Sequence, residues 1–234
     1  MKKTLIALLA ASTCAMGATT LEEGVQFTEA TYTAPSSWNL GGLSVTLVLN
    51  VTEFAELFDN ATSAARPVFV SMSGSGSNIV GLEAHEADRI TGASGVVAGG
   101  TYNNLYTLDS NGTNDSIASI NWGTAKAAAL TLALETSNKG TFWSLTVLDN
   151  DGTYTNTYAG QTGLRWSNMG DITKVAIDTN VVSTAYAFDG HHQGDDAYVL
   201  NKAAIEASLP VPEPTTATLS LLALAGLAAR RRRR

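Results

Sequence analysis

The chain has 234 residues, 44% of them hydrophobic, with 14 basic against 21 acidic side chains and a net charge of −7. Two lysines open it and five arginines close it, so the remaining length through Glu213 holds 7 basic and 21 acidic residues, a net of −14. Such a surface excludes a nucleic-acid partner, because a phosphate backbone demands a basic face. It suits a soluble extracellular module.

At the N-terminus Lys2 and Lys3 precede an apolar run over residues 5–11, and Ala15-Met16-Gly17-Ala18 supplies small side chains. Charge, apolar and small blocks in that order form a secretory signal peptide, residues 1–17, removed by signal peptidase after Gly17. The run is too short to span a membrane as a helix. A buried helix of a cytosolic domain is the plainer alternative. Cys14, the single cysteine, lies inside the removed segment. Read as a lipoprotein site it lacks the large aliphatic residue usual before it, since Ala11-Ser12-Thr13 stands there. The mature chain then depends on its core alone, which a body over residues 18–209 is long enough to bury.

That body is one domain by length and contains no internal repeat. Residues 27–33 read as a strand, and so do residues 43–51, which begin with the alternation Leu43-Ser44-Val45-Thr46-Leu47. Residues 52–59 read as a short helix. Residues 67–72 and 79–84 flank the Gly-Ser run 73–77 as a hairpin with a loose turn. Residues 129–134, 142–148 and 153–158 form a meander. Its turns, Asn138-Lys139-Gly140 and Asp149-Asn150-Asp151-Gly152, carry the residues that tolerate positive backbone angles. Residues 172–178 and 183–188 complete the strands, and residues 196–208 read as a helix with Asp195 and Asp196 at its positive end.

Short strands separated by turns about every eight to twelve residues predict an all-β fold, an antiparallel β-sandwich with one or two short helices. The signal helix and a C-terminal apolar helix flank it. The strand order resembles a LamG-like, concanavalin-type jelly roll. The residues that carry the likeness are the meander over 130–158, with Phe142-Trp143-Ser144-Leu145-Thr146-Val147 before the Asp-Gly hairpin, and the late strand at 172–178. The body departs from that family in lacking a calcium-ligand set, so ligand binding does not carry over.

Glu83, His85, Glu86 and Asp88 crowd into one short stretch. The glycoside hydrolases of the concanavalin-type family set carboxylates along one strand as Glu-x-Asp-x-x-Glu. A glycosidase also needs two carboxyl groups on one face, about 5 to 9 Å apart. On a regular strand Glu83 faces away from Glu86 and Asp88, so the stretch reads as a solvated strand end or loop, with a glycan-active enzyme as the alternative. Asp189, His191, His192, Asp195 and Asp196 offer transition-metal ligand types. Adjacent histidines diverge, however, and a polar loop feeding the helix is the reading. No catalytic residue, metal site or cofactor is expected. Among the aromatic residues Trp143 reads as packed, and Trp166, between Gly163 and Gly170, as the exposed one available to stack on a sugar ring.

Pro210, Pro212 and Pro214 end regular structure by removing amide donors. Residues 215–229 follow, uncharged and carrying Leu219, Leu221, Leu222, Leu224 and Leu227, and then Arg230, Arg231, Arg232, Arg233 and Arg234. As a helix this stretch is about 22 Å long against a hydrocarbon core of about 30 Å, a marginal membrane anchor that the arginines extend by snorkelling. They also hold the C-terminus on the cytoplasmic side. Residues 210–234, with Pro212-Glu213-Pro214, the Leu-rich stretch and the Arg cluster, resemble the PEP-CTERM sorting signal. That resemblance implies recognition by an exosortase, a membrane transpeptidase, on surface or matrix proteins of bacteria that make exopolysaccharide. The expectation is therefore an exported, non-catalytic cell-surface or extracellular-matrix protein, structural or glycan-adhesive, held in the inner membrane by its tail before processing.

Overall fold

The computed structural model describes residues 20–38, 43–74, 79–86, 88–94, 99, 101–102, 117–134, 141–159 and 171–210. The expected signal peptide, residues 1–17, and the tail beyond Pro210 lie outside them. After a 3-10 turn at Leu21–Glu23 come β1 (Val25–Phe27), β2 (Thr31–Trp38), β3 (Leu43–Leu49), helix α1 (Val51–Asp59), β4 (Arg66–Gly74), β5 (Ile79–His85) and β6 (Arg89–Ser94). The chain continues through β7 (Thr101–Tyr102), β8 (Ala125–Leu134), β9 (Thr141–Asp149), β10 (Tyr154–Ala159), β11 (Ile172–Ile177), β12 (Val182–Asp189) and helix α2 (Asp195–Ser208). One antiparallel sheet has the order β1-β12-β3-β8-β9-β10, and a second has β2-β11-β4-β5-β6, with β7 paired to β4.

Alternation along the strands decides what meets what. In β3, Leu43, Val45, Leu47 and Leu49 join Leu130, Leu132, Trp143, Leu145 and Val147 of the first sheet and Phe69, Val70, Met72, Leu82 and Val175 of the second in one apolar cluster. Every residue of β3 is nevertheless buried, because its other face lies beneath α2. There Val48, Ala129, Leu148 and Phe188 receive Leu200, Ala204 and Ile205 of the helix. Helix α1 adds Phe54 and Phe58, one turn apart, to the inner cluster. Phe54 meets Phe69 edge-on at 5.3 Å and Trp122 at 5.4 Å.

The meander is present as β8, β9 and β10, each paired with the next; its first expected turn, Asn138-Lys139-Gly140, lies outside the described residues, and its second is as the turn residues foretell. Gly152 sits at φ +88°, and Asp149 N donates to Thr153 O across the turn at 2.9 Å. The Asp151 carboxylate accepts the Thr153 N–H at 2.9 Å, which lowers its pKa, and the acidic turn is accounted for as a hairpin. Two expectations need correcting. The strand expected over residues 27–33 is broken at Thr28, because β1 pairs with β12 in one sheet and β2 with β11 in the other. The strand expected over residues 43–51 stops at Leu49. Asn50 turns the chain there, its side chain donating to Asn180 O at 2.6 Å while its carbonyl accepts the first helical bond from Phe54 N at 2.8 Å.

Candidate functional site

Where α2 begins, the outer face of the first sheet is not fully covered. Registers Thr131↔Ser144 and Tyr158↔Ser144 bring three strands' outward residues into one row, and Phe142 lies two residues along β9 from Ser144 on the same face. The loop from Gly190 to Gly194 passes beside them. It is pinned by Ser44, whose hydroxyl donates to Gly190 O at 2.8 Å and accepts the His192 N–H at 2.8 Å. Gly194, at φ +59°, supplies the left-handed turn into the helix. The result is a cavity of about 370 Å³ with Thr131 and Ser144 on its floor, Phe142 and Tyr158 at its side, and His192, Gln193, Gly194 and Ala197 at its rim.

Floor and rim differ in chemistry. Thr131 Oγ1 donates to Asn201 Oδ1 at 2.7 Å, and Thr46 Oγ1 lies 2.7 Å from Thr131 Oγ1 and donates to it. Asn201 Nδ2 in turn donates to Ser144 O at 2.7 Å and Thr146 Oγ1 at 3.0 Å. The hydroxyls of Ser144 and Thr146 both donate to Asn156 Oδ1, at 2.9 and 2.8 Å. The hydroxyl protons of Thr46, Thr131, Ser144 and Thr146 and both amide protons of Asn201 are committed, so the floor is rigid and offers a ligand little. The rim is adaptable. Tyr158 is 56% exposed, and Gln193 is exposed as well. His192 meets Phe188 edge-on at 5.7 Å, and burial lowers its pKa below 6.5, so at neutral pH its ring is an uncharged donor and acceptor. An aromatic wall beside amide and imidazole groups can hold a ring that has one apolar face and a hydroxylated edge.

The acidic stretch on β5 is different from its expected form. Only Glu86 and Asp88 are exposed, in the turn after the strand, where Asp88 adopts φ +52°. Glu83, expected at a solvated strand end, is 0% exposed, with Oε1 3.3 Å from Arg66 Nη1 of the neighbouring β4. Cross-strand packing overrides its charge, and the arginine neutralises it. His85 is buried too, its Nδ1–H donating to Glu86 O at 2.9 Å.

Of the remaining sequence expectations, Trp143 is packed, 2% exposed. His191 and His192 lie in the loop feeding α2 and rest on different rings, Phe142 for His191. Among the described residues no group of three or more His, Cys, Asp or Glu is placed to hold a metal ion. Trp166, the sorting residues Pro212, Glu213 and Pro214, the leucines at 219, 221, 222, 224 and 227 and the five terminal arginines lie outside the described residues. Among the described residues no helix is long and apolar enough to cross a membrane. Sequence reasoning did not assemble Phe142, Tyr158, His192 and Gln193. The shared face of Phe142, Ser144 and Tyr158 was readable from strand alternation, but the approach of the 190–194 loop was not.

Among the described residues two antiparallel sheets and two α-helices define a mostly-β domain with a surface cavity. Among curated proteins none matches the chain. Among solved structures it is similar to a functionally unknown protein from Saccharomyces cerevisiae, 10% identical, with a TM-score of 0.21 over 75% of this chain and 100% of that one, a likeness that carries no argument. Residues 210–234 match the family model of the PEP-CTERM protein-sorting motif. The chain thus carries a PEP-CTERM sorting motif at its C-terminus, and the motif implies recognition by an exosortase and export to the cell envelope.

Proposed function

We propose that this PEP-CTERM protein is a non-catalytic surface or matrix adhesin: a β-sandwich of the jelly-roll kind that holds a glycan in the cavity beside α2. The observation that carries the reading is that cavity, about 370 Å³, with the exposed Tyr158 ring at its side. Its size falls within the range of about 300–1,000 Å³ typical of small-molecule sites. Nested pairing, β1 with β12 and β2 with β11, supports the jelly-roll connectivity. The ion pair that occupies Glu83 supports a non-catalytic role, because a glycosidase needs a carboxylate free to meet substrate. The cavity lies at the N-terminal end of α2 and the tail leaves from its C-terminal end, so about 20 Å of helix separates ligand from anchor.

The test is affinity electrophoresis of the mature protein through gels containing the host's exopolysaccharide and a panel of other glycans. Retardation by at least one of them, lost in Tyr158→Ala at unchanged melting temperature, is the expected result. Equal mobility of wild type and variant in every gel refutes adhesion through this cavity. Hydrolysis of any glycan that Glu86→Gln abolishes refutes the non-catalytic reading.

A further inference from the structure

The folded body ends close to the sorting motif. Helix α2 closes with Ser208 Oγ donating to Ile205 O at 2.7 Å, and Leu209, its N–H still bonded to Ile205 O at 3.2 Å, packs on the cluster beneath the helix. Pro210 is exposed, and Pro212 is the third residue beyond Leu209. Three extended residues reach about 10 Å at most. A transpeptidase that binds Pro212-Glu213-Pro214 in an extended groove therefore fills only its nearest upstream subsites with free chain. Beyond these it meets the domain itself. The surface it meets is a cleft of about 530 Å³ whose rim includes Asn50, Thr52, Glu53, Lys126, Ser183 and Pro210. Glu53, Lys126, Thr52 and Ser183 are exposed, a mixed-charge polar rim of the kind that surrounds a transient protein contact.

We infer that this cleft face is a docking surface for the sorting transpeptidase, so that the enzyme reads the end of the folded domain together with the tail. The inference rests on the sorting reading of residues 210–234. A membrane surface is the poorer occupant, because a body over residues 18–209 with 7 basic and 20 acidic residues, a net of −13, is repelled by anionic headgroups.

The experiment follows processing of the full-length chain in its own host by pulse-chase and intact-mass spectrometry. Wild type is compared with Glu53→Lys, Lys126→Glu and each of these carrying a twelve-residue Gly-Ser insert between Leu209 and Pro210, with Glu213→Ala as control. Thermal melting confirms that the exposed substitutions leave the body folded. Both charge reversals are expected to slow processing at least five-fold, and the insert, which removes the enforced proximity, to abolish the difference between each variant and wild type carrying the same insert. Wild-type rates in both reversals overturn the docking surface while leaving the sorting reading intact. Acceleration by Glu53→Lys with slowing by Lys126→Glu would track net charge alone and overturn it in favour of headgroups. A wild-type chain that is never shortened, or one whose shortening Glu213→Ala does not affect, overturns the sorting reading itself.

Discussion

Replacing Asn201 with alanine removes a side chain that is completely buried between α2 and the first sheet. Three direct hydrogen bonds disappear: from Thr131 Oγ1 at 2.7 Å, to Ser144 O at 2.7 Å and to Thr146 Oγ1 at 3.0 Å. Each net bond contributes about 1 kcal/mol, and stranding the Thr131 hydroxyl adds at least a further fraction, so the expected loss is about 3–4 kcal/mol. For a body of this length each kcal/mol shifts the melting temperature by about 2–4 °C, which gives a fall of roughly 6–16 °C. Urea unfolding of the purified mature protein measures it directly, because the midpoint moves while the slope stays constant in a two-state transition. Thr131→Val completes a double-mutant cycle, and coupling of at least about 1 kcal/mol is expected for groups in one hydrogen-bonded chain. A loss below about 1 kcal/mol, or additive effects, refutes the chain of donors as described.

Gly81 faces Val70 O across β4 and β5, and a Cβ there would overlap that carbonyl. Gly81→Ala is expected to destabilise by about 3 kcal/mol, as overpacking against backbone does, and an unfolding midpoint equal to wild type contradicts that contact. Glu83→Gln leaves the Arg66 cation facing a neutral amide, with an expected loss of about 3 kcal/mol in chemical denaturation. Burial lowers the His192 pKa below 6.5, so the folded chain resists a proton that the unfolded chain accepts. Stability should therefore fall as pH drops below about 6.5 and level off below the folded-state pKa. His192→Gln should flatten that part of the stability profile, and a profile identical to wild type rules out the histidine as its cause.

The meander and α2 were legible in the sequence because their signals are local. Asp151-Gly152 closes one hairpin, and Asp195 and Asp196 mark the start of the helix. What escaped depends on partners far away in the chain. Nothing near Thr28 announces that β1 and β2 belong to different sheets, since their partners are β12 and β11. Glu83 alternates with the core residues Leu82 and Ala84 and so reads as solvated, until Arg66 is brought beside it. Asn201 reads as a surface residue of a helix. Its counterpart is a buried polar column, Thr46, Thr131, Ser144 and Thr146, on the outward face of three mostly apolar strands.

The pairing of β1 with β12, Val25 opposite Ala187, sets the time at which the domain can close. A chain that emerges N-terminus first cannot complete its first sheet while β12 is still to come, because β12 is also the neighbour of β3. Closing so long a loop is entropically costly, and contacts this distant form slowly. The first sheet thus stays incomplete, with β1 and one edge of β3 unpaired, until nearly all of the body has emerged. Only α2 separates β12 from the sorting motif. Completion of the fold and arrival of the address label fall in the same short interval.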